Sequence, residues 1–314
     1  MIKKQQEASI KDDYQKISNS LNLDIEKQIK TQKVLKIVRN VFVYLFLVLI
    51  AIFTIFPFYW MILSSLKTEE VYRQSVPTFF VPPAELQWSN YSFVVSYGDN
   101  LFGSMLVNTL VVGVLSTVLG LIITILCAFA FAKMEFKGKN VLFSILLATM
   151  MIPGELFTTT NYITVSKFQW AKSYTVMIIP FLVSVFYIYL LRNAMKQIPD
   201  SLYRSAKVDG CSDMKYLIKV MVPLTAPTII SITLLKFIGT WNSYIWPRLV
   251  NSGDPSWQLL SNWVAQGFTP VGSTDGYTTY KMAAATMVSL PLLIVFLCFR
   301  KYIMRGVSKS GIKG

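Results

Sequence analysis

The chain opens with about forty polar positions and then changes character. From Val41 onward, long apolar runs alternate with shorter charged ones. Six runs stand out, near Val41–Leu63, Leu106–Ala132, Val141–Ile163, Tyr174–Leu191, Ala226–Ile245 and Met282–Phe299. Each approaches the ~20 residues that carry a helix across a hydrocarbon core. Lipid offers no partner to a backbone N–H or C=O, so isolated runs of this length predict helices. The pattern predicts an all-α polytopic membrane protein with six transmembrane helices. Residues 1–40 form a polar N-terminal tail and residues 41–314 the transmembrane domain. Pro57, Pro153, Pro180 and Pro291 fall inside the runs, where each removes a backbone donor and predicts a kink. In the tail, Ile17, Leu21, Ile25 and Ile29 recur at about helical spacing. This predicts an amphipathic or partly disordered segment near the lipid headgroups.

Charge orients the runs. With the N-terminus in the cytoplasm, 23 of the 30 Lys and Arg fall in inner segments and only six in outer ones. Lys236 remains, inside the fifth run. Positive charge concentrates on cytoplasmic loops, so both termini and the segment between runs four and five are expected inside. The net charge of +14 thereby marks a membrane face and implies no nucleic-acid partner.

Composition narrows the chemistry. The chain is 54% hydrophobic, against about 45–50% for soluble domains. It has no histidine, which excludes histidine triads and histidine metal sites. Its three cysteines, Cys127, Cys211 and Cys298, suggest neither a disulfide framework nor a metal cluster. No cofactor is expected in this chain. The long polar start is unlike a cleavable signal peptide.

The segment Pro199–Pro223 is too charged to cross a bilayer, yet it reads as ordered. Asp200 is placed to cap a short helix that ends at Gly210, where a left-handed residue fits. Ser212 is placed to cap a second helix, with Asp213 near its positive end. Met214, Leu217, Ile218 and Met221 follow at i, i+3, i+4, i+7 and predict one apolar stripe. Pro223 is expected to stop that helix. Two readings stand on this pattern: a knob that docks into a soluble partner, or a solvated loop joining two spans.

Ionisable groups within apolar runs are functional candidates. Glu155 follows Pro153-Gly154, and Lys236 lies in LLKFIGTWNSYIWP. A pathway contact, a mutual ion pair and a contact with another subunit stand beside snorkelling of Lys236 and a near-surface Glu155. Trp241, Asn242 and Tyr244 offer aromatic surface beside an amide, which suits sugars and equally an interfacial belt. Outside the membrane, Lys67–Leu101 is rich in proline and aromatic residues and is expected to pack over the spans. The loop Pro247–Tyr280, with Trp257, Trp263 and Phe268, reads as a belt or as a surface for an outer partner.

The stretch Arg204-Ser205-Ala206-Lys207-Val208-Asp209-Gly210-Cys211 resembles the EAA loop of binding-protein-dependent ABC importers, E-A-A-x-x-D-G-A. Ala206, Asp209 and Gly210 match. Arg204 stands in place of the glutamate, Ser205 of the first alanine and Cys211 of the last. MIPG at Met151–Gly154, WNSYIWP at Trp241–Pro247 and the terminal RGVSKSGIKG extend the resemblance to maltose-type, sugar-importing permease subunits over nearly all of the chain after residue 40. The resemblance implies that the segment is a coupling helix seated on a separate ATPase, with Leu202, Ser205, Ala206, Asp209, Gly210, Cys211 and Met214 as contact residues. Arg204 reverses the family's charge, so that one contact does not carry over. The tail Gly306–Gly314 would also reach toward the ATPase, and Pro247–Tyr280 toward an extracellular solute-binding protein. The implied partners are a second homologous permease subunit, two ATP-binding subunits holding ATP and Mg, the solute-binding protein, a carbohydrate and membrane lipid. In maltose-type importers the transmembrane sugar site lies largely in the other subunit.

The expected function is that of a transmembrane permease subunit importing a carbohydrate, an oligosaccharide, by alternating access in a bacterial plasma membrane. It is not the ATPase, because it lacks G-x-x-x-x-G-K-[ST]. The alternative is an ion-coupled secondary transporter, whose folds show internal repeats and buried acid clusters. No clear repeat is visible here, and Glu155 stands alone. A non-transporting membrane scaffold is a further rival.

Overall fold

The computed structural model describes the backbone of residues 2–98, 101–270 and 276–308, and the side chains of residues 32–98, 101–270 and 276–300. Among these residues every regular element is helical. The chain divides into two units, Met1–Trp60 and Met61–Gly314.

The first unit belongs to one helix, α1 (Ile2–Ser65), which carries Pro57 inside it without a break. Within this unit the apolar side chains are not packed against one another, Phe53 being 80% exposed. The tail side chains Ile17, Leu21, Ile25 and Ile29 lie outside the described residues.

The second unit is built around α2 (Leu101–Lys133). Its buried side is a run of small residues: Gly113, Ser116, Thr117, Gly120, Thr124 and Ala128. Small side chains at this spacing let neighbouring helices approach closely, which is how helices associate where lipid gives no hydrophobic drive. Two helices use the approach, α6 (Val185–Lys196) and α9 (Ala226–Trp241), and α10 (Thr278–Ser308) packs on α9. The opposite side of α2 presents Leu110, Val114, Val118 and Ile122.

Three apolar helices are long enough to span by themselves: Gln32–Ser65, Leu101–Lys133 and Thr278–Arg300. The other three predicted spans are broken. Lys139–Thr149 (α3) and Gly154–Lys167 (α4) meet at 85°, Tyr174–Phe181 (α5) and Val185–Lys196 at 47°, and Asp213–Leu224 and Ala226–Trp241 at 82°. Six crossings result if each pair counts as one.

The prolines therefore act differently from the uniform kinks expected. Pro57 and Pro291 are accommodated inside continuous helices. Pro153 lies at a true break, followed by a 3-10 turn from Gly154. Pro180 sits in the 3-10 turn before the break at Ser184. Pro223 does not stop its helix. A short helical stretch, Val222–Leu224, carries it near the N-terminal end, where its missing N–H is tolerated, and the bend comes at Thr225.

The connecting segments outside the helices are packed rather than draped. Asn90 Nδ2 donates to Ser65 O and Lys67 O at 2.8 and 2.9 Å. Lys67 Nζ donates to Thr78 O at 2.5 Å. The Glu69 carboxylate accepts from Thr279 N and Oγ1 at the start of α10, at 3.1 and 3.0 Å. Phe79, Phe80 and Trp88 remain exposed. In the later loop, Trp263 and Phe268 are fully buried in a cluster with Met105, Trp241 and Ala284. These two rings are core and not part of an exposed belt, because the loop folds in over the ends of α2 and α10.

Candidate functional site

The segment between α6 and α9 forms two short helices, α7 (Asp200–Val208) and α8 (Asp213–Tyr216). Asp200 does not cap α7. Pro199 takes that position, and Asp200 is the first helical residue. Its carboxylate instead accepts from Lys133 Nζ at 2.5 Å, and the same ammonium donates to Ile198 O at 2.6 Å. The Lys133 side chain is 1% exposed and that of Asp200 69%. This contact fastens the end of α2 to the start of α7. It also holds the Asp200 carboxyl below its ordinary range, with the hydrogen bond from Lys133 as the main cause.

The turn after α7 matches the prediction. Gly210 has φ +73°, Gly210 N donates to Lys207 O at 3.1 Å and Cys211 N to Ala206 O at 2.9 Å. These are the two bonds of a Schellman cap, which calls for a left-handed residue at this position. Ser212 Oγ accepts from Lys215 N at 3.4 Å and caps α8, as expected. Asp213 joins the two helices. It accepts from Tyr203 Oη at 2.5 Å and lies 2.7 Å from Lys207 Nζ. Lys207, and after it Tyr203, hold the Asp213 carboxyl low. Burial and then Asp213 push the Tyr203 phenol up to about 12.

The predicted apolar stripe of the second helix is not one surface. Leu217 and Met221 are buried, whereas Met214 and Ile218 are 53% and 59% exposed. The cause is a π-helical stretch, Leu217–Met221, which shifts the register that an α-helix would keep. Tyr216, Leu217 and Met221 pack with Phe129, Leu191 and Met195. Ala206 and Cys211 are half-buried against that cluster. Leu202, Ser205, Val208, Asp209, Gly210 and Met214 are left exposed, with Arg204 among them. The predicted coupling residues thus form an open cap on a firmly packed base.

A second feature lies within the helices. A cavity of about 220 Å³ is lined by Ser116, Ser184, Tyr187, Lys236, Thr240 and Trp246, among others. Lys236 does not snorkel. It is 6% exposed, and Nζ donates to Phe181 O at 2.9 Å and Leu182 O at 3.2 Å. Those carbonyls are free because the helix breaks just after them. Gly120 makes the room: a Cβ there would lie 2.5 Å from Lys236 Nζ and 2.7 Å from Leu182 O. Glu155 is exposed in its 3-10 turn and is not the partner of Lys236. Trp241 is core, with Nε1 donating to Val288 O at 3.2 Å. Asn242 and Tyr244 are exposed, and Arg248 Nη1 donates to Tyr244 Oη at 3.0 Å. Trp246 is held by Nε1 donating to Val176 O at 2.9 Å. The hydroxyls around Lys236 carry no pattern by which the sequence betrays them. Gly120 alone has a signal, as part of the small-residue run on α2.

Residues 120–309 match the family described as the binding-protein-dependent transport system inner membrane component. The chain belongs to that family. The permease is similar to the arabinooligosaccharides transport system permease protein AraQ of Bacillus subtilis strain 168, 27% identical over 276 residues, 86% of this chain and 94% of that protein. It is similar also to the probable ABC transporter permease protein MG189 of Mycoplasma genitalium, 31% identical over 303 residues, 92% and 94% of the two chains. Among solved structures, it shares its fold with a chain of a bacterial ABC transporter involved in import of the acidic polysaccharide alginate. That likeness has a TM-score of 0.72 and 24% identity, over 84% of this chain and 96% of that one. The permease is accordingly a multi-pass protein of the inner membrane. The matched region begins at Gly120 and contains both α7–α8 and Lys236.

Proposed function

We propose that this permease is one of two related membrane subunits of an ATP-driven, binding-protein-dependent importer of a carbohydrate, an oligosaccharide. The observation that carries the mechanism is the exposed cap at Leu202, Ser205, Asp209, Gly210 and Met214 on a buried base. An importer needs a rigid element through which a separate ATPase moves the spans. α7 and α8 are joined to each other through Asp213 and to α2 through Lys133–Asp200. The distribution of Lys and Arg supports a cytoplasmic position for this cap and both termini. The named substrate of the AraQ relative supports a carbohydrate cargo.

In this reading two ATP-binding subunits, holding ATP and Mg, close on nucleotide. The cap, with Ala206 and Cys211 at its base, moves with them, and the spans open outward to receive sugar from an extracellular solute-binding protein. Hydrolysis resets them. Such coupling requires the ATPase contacts to differ between the two states. The chain itself carries out no reaction. The tail Gly306–Gly314 would add a second contact, although residues 309–314 lie outside the described residues. Nothing in the placement of Glu155 and Lys236 favours the ion-coupled alternative, since among the described residues no acid cluster surrounds the lysine.

Affinity purification from the native membrane tests this reading. The expected companions are a second permease, an ATPase with a phosphate-binding loop and a solute-binding protein. Recovery of the chain alone, under conditions that keep known complexes whole, would overturn it.

A further inference from the structure

The cavity beside α9 holds a positive charge that the fold only partly offsets. Lys236 is 6% exposed and gives two of its three N–H donors to Phe181 O and Leu182 O. Those carbonyls end the half-helix Tyr174–Phe181 and bring the partial negative charge of a helix C-terminus. Among the described residues no carboxylate pairs with Lys236. The polar part of the wall is neutral, made by Ser116, Ser184, Tyr187, Thr240 and Ser243.

Capping two carbonyls needs only donors, and an amide would supply them. A buried ammonium adds a charge, which is costly to hold without a counter-ion. The fold nevertheless makes room for it, since any side chain at position 120 would collide with the ammonium. The cavity measures about 220 Å³, far more than the ~10–15 Å³ that one water needs. Tyr187 and Trp246 supply aromatic surface to the same wall.

We infer that this cavity is a substrate subsite for a glycoside bearing an anionic group, a carboxylate or a phosphate. Lys236 makes the ionic contact, and the surrounding hydroxyls meet those of the sugar ring. The inference rests on the import reading above and narrows its cargo from carbohydrate to acidic carbohydrate. It also places a subsite in this subunit.

The test uses the full complex with its own ATPase, second permease and binding protein, reconstituted in proteoliposomes. The probes are neutral di- to tetrasaccharides, the corresponding oligouronates, and sugar phosphates. Oligouronates or sugar phosphates are expected to stimulate ATP hydrolysis and uptake about tenfold better than neutral sugars. Which of the two acts separates carboxylate from phosphate. Stimulation by neutral sugars alone would overturn the anionic subsite and leave the import reading intact. Stimulation by none of the three classes would overturn both.

Lys236→Gln keeps the donors and removes the charge. It is expected to raise the KM for the anionic probe about tenfold, whereas Lys236→Arg holds it within about threefold. An unchanged KM in Lys236→Gln would overturn the assignment. If that variant does not assemble, the wild-type complex is acylated at lysine and read by mass spectrometry. Protection of Lys236 by the anionic probe supports the subsite, and equal labelling with and without it counts against.

Discussion

Gly120 and Lys236 occupy one place from opposite sides, and neither residue type is interchangeable there. Gly120→Ala puts a methyl group where the lysine ammonium and Leu182 O now lie. Overpacking of this kind costs about 1–3 kcal/mol. The thermal midpoint of the purified complex should fall accordingly, and an unchanged midpoint would show that the lysine has another place to go. Lys133–Asp200 is a second such place. Asp200→Asn keeps an acceptor oxygen beside Ile198 O but removes the counter-charge of a buried ammonium. The cost is about 1–3 kcal/mol, at the low end because Asp200 itself is largely exposed. The Asp200 carboxyl is held low in the fold, so its contribution is full above the unfolded value near 3.9 and is lost as pH falls through the lower folded value. The gap in midpoint between wild type and Asp200→Asn should be constant near neutral pH and close below about pH 4. At this scale the sequence was informative about types and silent about partners. Lys236 was legible as an intramembrane ion, but its acceptors are backbone carbonyls freed by a break some fifty residues away. Trp241 looked like surface because it stands near a span end; the folding-in of Trp263 and Phe268 covers it.

Helix ends were more legible than helix faces. Gly210 and Ser212 announced the two caps of the α7–α8 turn, because a left-handed position and an N-cap each demand a narrow choice of residue. The spacing of Met214 and Ile218 predicts a stripe that the π-helical stretch dismantles, and nothing in that spacing signals the stretch. Proline located each possible break but did not separate an accommodated Pro57 from a breaking Pro153. That outcome depends on whether neighbouring groups take up the released carbonyls, which is tertiary information. Gly210→Val tests the element. A β-branched residue at φ +73° costs roughly 1–2 kcal/mol in a turn with nothing packed over it. The subunit should still insert and assemble, while substrate-stimulated ATP hydrolysis and uptake are lost. A fully active Gly210→Val would count against docking at this turn.

For the whole molecule, the six apolar runs were enough to announce a polytopic helical protein, and their order with the loop strings pointed to the family. What they could not convey is that three of the six are bent by 47° to 85°. The side on which the cap stands is open to a direct measurement. Val208 is 88% exposed, and in a background without native cysteines Val208→Cys gives a single label site. In vesicles from cells that express the permease without its ATPase, a membrane-impermeant maleimide should label it when the vesicles are inside-out, and it should not be labelled in intact cells. Labelling in intact cells would reverse the proposed orientation.

One helix bears on how such an assembly moves. α2 has neither proline nor break from Leu101 to Lys133. At one end Lys133 grips Asp200. About 38 Å away, at 1.5 Å per residue, Asn108 donates to Ser256 O and Gln258 O, and Leu260 N donates to Thr109 Oγ1. It is a strut between two joints, flanked by members that are already creased. On the import reading proposed above, a load applied at α7 would reach the far loop as a tilt of α2 more than as a bend in it, and the opposite ends of this bundle would then move in step.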